Sequence, residues 1–88
     1  MLRQIVKASL FEDQLRSLIE GGARVADEFI EGLESELARR PEIGSWHTGT
    51  YPPVWFVPMI DVERLRPPLV VYYTFDEERV YLLSIQAS

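Results

Sequence analysis

Apolar positions follow a helical rhythm in the first half of the chain and a strand-like rhythm in the second. Phe11, Leu15, Leu18 and Ile19 recur at i, i+4, i+7 and i+8, which predicts one helix with a single apolar stripe. Ser9 stands three residues before Glu12, the spacing of a capping box that would open this helix. Gly21-Gly22 ends it, since paired glycines are costly inside a helix. Ala26, Phe29, Ile30, Leu33 and Leu37 form a second stripe, ringed by Asp27, Glu28, Glu31, Glu34 and Glu36. Arg39-Arg40 closes that helix with favourable positive charge. Pro41 and Gly44 then forbid its continuation. So short a connection between the helices predicts an antiparallel helix hairpin.

Before the helices, residues 2–7 read as a short first strand. After them, residues 44–53 read as loop with extended pieces. Val54 to Ile60 is apolar and β-rich but contains Pro58, which predicts an edge strand or a bulge there. Asp61 to Pro68 reads as a polar connection. Leu69 to Phe75 and Val80 to Ala87 flank the charged turn Asp76-Glu77-Glu78-Arg79, which predicts a β-hairpin. The expected order is β-α-α-β-β-β. It implies an α+β domain with the helix hairpin packed on one face of a mainly antiparallel sheet.

Composition bounds this picture. The 88 residues suit one domain spanning 1–88, and 47% hydrophobic content is enough for a core. There is no cysteine, hence no disulfide, thiolate nucleophile or thiolate metal site. Neither a membrane-length apolar run nor a signal-peptide core is visible, so a cytoplasmic protein is expected. The net charge of −5 is unfavourable for binding phosphate backbones, so a nucleic-acid surface would need a basic patch assembled by the fold.

Few residues offer chemistry. His47 is the only histidine. Its ordinary pKa suits a general base, but no carboxylate stands near it in sequence to orient it, and a packing or surface role is the alternative. Arg64 and Arg66, two apart on extended chain, point the same way. With Arg79 they are candidates for gripping a phosphate or carboxylate, or else for pairing with Asp61, Glu63, Asp76, Glu77 or Glu78. Trp46, Tyr51, Trp55 and Phe56 surround the proline-rich middle without interleaved basic residues. They are expected in the core or an interface rather than as a base-stacking platform. The acidic helix face is either solvated surface or a contact for a basic partner. No phosphate loop, paired-histidine metal motif or nucleophile elbow is present, and no cofactor is expected.

Three features together resemble the RelE/ParE toxin superfamily of bacterial type II toxin–antitoxin pairs. They are the N-terminal helix hairpin ending in Pro41-Glu42-Ile43-Gly44, the Leu65-Arg66 element, and the strand pair VVYYTFD and VYLLSI. The resemblance covers nearly the whole chain in order and length. It implies the family's fold, a cognate antitoxin as partner, and either mRNA cleavage at the ribosome or action on a protein target such as DNA gyrase. In that family the penultimate strand often reads Arg-Val-x-Tyr. Laid on Val70-Val71-Tyr72-Tyr73, that wording puts Val70 at the arginine. The tyrosine or histidine that family ribonucleases carry after the last strand has no counterpart before Ser88. The expectation is therefore a toxin-type protein acting through protein binding. An endoribonuclease using His47, Arg64, Arg66 and Arg79 is the alternative, and a non-toxic, self-associating homodimer of the same fold is a third reading.

Overall fold

The computed structural model describes residues 2–21, 25–47, 53–59 and 69–87. The expected connection at Asp61–Pro68, with Arg64 and Arg66 on it, lies outside the described residues, as does Tyr51. The elements are β1 (Gln4–Lys7), α1 (Ser9–Glu20), α2 (Val25–Arg39), a 3-10 turn (Pro41–Ile43), β2 (Ser45–His47), β3 (Val54–Met59), β4 (Leu69–Phe75) and β5 (Arg79–Ala87). Five strands lie in the order β1-β5-β4-β3-β2. β1 runs parallel to β5 and the other pairs are antiparallel, so two helices pack on a mixed sheet. The chain is thus a small α+β domain.

One local expectation needs correction. Ser9 does not cap α1: Ala8 is the N-cap residue and no side-chain cap bond forms. The reason is that Ala8 still belongs to the strand ladder, donating its N–H to the Leu82 carbonyl at 2.9 Å. The helix therefore starts one residue too early for Ser9 to occupy the capping position, and Glu12 N–H bonds to the Ala8 carbonyl instead. Residues 45–47, in the stretch expected as loop with extended pieces, form β2 against Val54–Phe56.

Both apolar stripes meet one face of the sheet. Phe11 and Leu15 of α1 and Ala26, Ile30 and Leu37 of α2 are buried against Leu69, Val71, Tyr73, Val80, Leu82 and Ile85. Each large side chain removed from water here stabilises the fold by roughly 1.5–3 kcal/mol. Phe29 departs from its predicted stripe and lies 39% exposed on the flank of α2.

The β4–β5 ladder carries an irregularity that decides which side chains reach the core. Tyr72 pairs with Ser84, but Tyr73 pairs with Leu82, so Leu83 is the extra residue. Strict alternation from Val80 and Leu82 would carry Ser84 inward. The shift brings Ile85 opposite Val71 instead, where it is 3% exposed.

Each of three sheet margins has its own termination. At β1, Arg3 N–H bonds to the Ala38 carbonyl of α2 at 2.8 Å, and Lys7 places a charge on the strand. On β3, Pro58 lies past Phe56, the last residue paired with β2, so among the described residues it sits where that strand has no neighbour on that side. On β5, β1 covers only Arg79–Leu82, and Leu83–Ala87 extends beyond it.

Candidate functional site

The Pro41–Gly44 turn and the tyrosine of the penultimate strand, distant in sequence, meet in one place. Tyr73 is fully buried. Its hydroxyl donates to the Pro41 carbonyl and accepts from the Gly44 N–H at 3.0 Å. Burial pushes this phenol up to about 12, although the Gly44 bond works in the opposite direction. A Cβ on residue 44 would collide with the Tyr73 hydroxyl and come within 2.7 Å of the Phe56 carbonyl. Glycine is thus required by close approach, and the tyrosine fastens the turn that leads into β2. A phenol held neutral and enclosed this way serves the fold rather than proton transfer.

The hairpin turn is organised by Asp76. Its Oδ1 accepts from the N–H groups of Glu78 (2.8 Å) and Arg79 (2.7 Å), and its Oδ2 accepts from the Tyr81 hydroxyl at 3.3 Å. Those two backbone bonds hold its carboxyl below the usual range. Arg3 closes over the same turn: its Nε donates to the Asp76 carbonyl at 2.8 Å, and its guanidinium lies 5.7 Å from the Phe75 ring centre. Nothing in the sequence pattern pointed to Arg3, because its partners lie at the other end of the chain. The Arg79 guanidinium is exposed, and its pKa is raised, first by a hydrogen bond with Tyr81.

Of the four candidate residues for RNA chemistry, two have a backbone among the described residues. His47 is on β2 and Arg79 on β5, three strand spacings apart in the sheet order. That strand separation is about 14 Å. Among the described residues, no group of three histidines or acids is placed to hold a metal. The aromatic residues divide. Trp55 packs against the core margin 5.3 Å from Phe75, and Phe56 lies 6.3 Å from Tyr72. Trp46, expected in a core or interface, is 59% exposed.

Charge is segregated by layer. The two helices expose Glu12, Asp13, Glu20, Asp27, Glu28, Glu31 and Glu36 against Arg16 and Arg39, with Arg40 just past the end of α2. Strands β2 to β5 hold a single Arg, Lys, Asp or Glu, which is Arg79. Between the layers, Lys7 Nζ lies 2.9 Å from Glu34 Oε1, an oxygen with no other partner among the described residues. That carboxylate is the main reason the Lys7 pKa is raised.

Among the described residues, open grooves flank both helices. One, of about 360 Å³, lies between α1 and the projecting end of β5, lined by Asp13, Gln14, Ser17, Leu18 and Ile85. In it Gln14 Oε1 accepts the Ile85 N–H at 2.9 Å. The other, of about 250 Å³, lies between β1 and α2, with Leu2, Ile5, Glu34 and Arg39 among its walls. Among the described residues, no helix is long and apolar enough to cross a membrane. No protein-family model matches the chain, and no curated protein is significantly similar to it.

Proposed function

We propose that this protein is the toxin-type member of a type II toxin–antitoxin pair, with a RelE/ParE-like fold, and that it works by binding proteins. The observation that carries the choice of protein over RNA is the charge of the sheet. A surface that holds and cuts RNA needs several cations to neutralise phosphates and stabilise the developing charge. The five described strands offer only Arg79 and Lys7, the latter paired with Glu34. The acidic helix layer, by contrast, favours encounter with a basic partner segment and repels nucleic acid. The order of a first strand, a helix hairpin and a terminal β-hairpin supports the family reading. In this reading the antitoxin is the cognate partner, and a cellular protein such as DNA gyrase is the target.

Expression and capture test the proposal together. Induced expression should arrest growth, and affinity capture from the native host should recover a small protein encoded beside this one. Purified protein that cleaves mRNA, alone or on ribosomes, would replace the binding reading with a nuclease. Harmless expression with no small co-encoded partner would remove the toxin reading altogether.

A further inference from the structure

Resting on the protein-binding reading above, we infer that the outer flank of α2, centred on Phe29 and Gly32, docks a basic amphipathic helix of another protein. The first observation is a glycine that the fold does not use. Gly32 sits at the midpoint of the 15-residue α2. A glycine there lowers the folding equilibrium constant roughly fivefold relative to alanine. At Gly44 the fold requires glycine, because a Cβ would strike the Tyr73 hydroxyl. At Gly32 a Cβ would meet nothing within 4 Å, and the backbone is ordinary helix. Neither packing nor backbone conformation therefore calls for glycine at this position. What glycine does provide is bare helix backbone that another chain can approach closely.

The second observation is the row in which Gly32 stands. Phe29, Gly32, Leu33 and Glu36 recur at i, i+3, i+4 and i+7, so they form one ridge along two turns of α2. Leu33 is partly buried and packs against the core. Phe29 is 39% exposed. Apolar surface thus leads outward from the core past Leu33 and Phe29 to the bare backbone at Gly32. A ridge of this spacing is what a second helix packs against, and the gap at Gly32 seats one large apolar side chain beside Phe29.

Charge selects the occupant. Glu28 and Glu36 stand one turn before and one turn after Gly32, and Glu31 precedes it directly. Glu36 already holds Arg40 at 3.2 Å, but Glu28 and Glu31 have no ion pair among the described residues. The base within α2, Arg39, lies in its last turn. A second copy of this chain, itself at −5, is repelled from such a face, as is a nucleic acid. A helix carrying Arg or Lys around one large apolar residue matches both the seat and its border.

A display library of random peptides about four helical turns long, panned on the purified full chain, tests this inference. Enriched peptides should carry Arg or Lys around one large apolar residue. When bound, they should shift the backbone amide resonances of residues 28–36 more than any others. Gly32→Ala should raise the folding equilibrium constant roughly fivefold and yet weaken peptide binding roughly tenfold, because the new methyl holds the two backbones apart. A variant more stable than the wild type cannot lose binding by unfolding. Glu28→Gln should weaken binding roughly twofold to fivefold and reduce its dependence on salt. Glu20→Gln, the same loss of charge on α1, should leave binding unchanged. The selection calls on neither growth arrest nor a co-encoded partner, so it can fail while the toxin reading stands and succeed where that reading fails. No enrichment, enrichment of acidic or uncharged peptides, amide shifts centred elsewhere, or binding indifferent to Gly32→Ala overturns the inference.

Discussion

The Tyr73 hydroxyl on β4 accepts the Gly44 N–H at 3.0 Å across 29 residues of sequence. Among the described residues, this contact and its companion to the Pro41 carbonyl are the hydrogen bonds that Tyr73→Phe would remove directly. Two backbone groups would be left without partners in a partly buried turn. The expected cost is about 1–3 kcal/mol, measured by urea denaturation. Amide exchange in β2 should rise in the variant, since the turn leading into that strand is no longer fastened.

The same phenol predicts an alkaline limb. A raised folded pKa means that the folded state favours the neutral phenol. Its stabilising contribution is fully present below the ordinary value near 10 and is lost as pH rises toward about 12. Stability should fall across that window in the wild type and more shallowly in Tyr73→Phe. Ultraviolet titration should show one of the four tyrosines ionising late.

Asp76 predicts an acid limb of opposite sense. Its folded pKa is lowered by the backbone N–H groups of Glu78 and Arg79. Its contribution is therefore present above the ordinary carboxyl value and disappears as pH falls through the folded one. Asp76→Asn keeps an oxygen to accept those N–H groups but cannot titrate. Its stability should show a flatter acid limb than the wild type, by thermal unfolding from pH 6 downward to about pH 2.

The register shift makes an unequal pair of adjacent sites. Ile85→Ala should cost about 2–5 kcal/mol, because it opens a cavity beneath α1. Leu83→Ala, at the extra residue, should cost less than about 1.5 kcal/mol. Equal losses in denaturation would mean that the shift is misplaced.

Lys7 and Glu34 should show coupling in a double-mutant cycle. The lysine side chain is 37% exposed, so solvent weakens the pair, and about 0.5–1 kcal/mol is expected. Glu34→Gln should lower the Lys7 pKa toward its ordinary value, as read by NMR titration, because that carboxylate is the main cause of the upward shift.

The elements legible in sequence were those with enough residues to show a period. Both helix stripes and the two long hairpin strands met this condition. β2 did not, because three residues cannot display alternation, and its existence depends on a partner strand beyond the next loop. The misread cap at Ser9 had a tertiary cause: whether that residue opens the helix depends on Leu82 holding Ala8 in the ladder. Val80-Tyr81-Leu82-Leu83 did carry a faint sign of the register shift, since two adjacent leucines break strict alternation. Of the candidate residues, Arg79, expected in the charged turn, is the first residue of β5. Nothing in the spacing could reveal that Arg3 would lie against the same turn, or that Gln14 would hold Ile85.

The parallel pairing of β1 with β5 also has a consequence for synthesis. Gln4–Lys7 is translated early, yet its strand neighbour Arg79–Leu82 emerges after every other described element. Both helix stripes await the same strand, because Val80, Leu82 and Ile85 complete their core. A nascent chain on the ribosome therefore exposes unfinished apolar surface until β5 is free to slot between β1 and β4. Folding of this protein therefore waits for β5 to emerge, and a transcript cut short before β5 would yield no stable product.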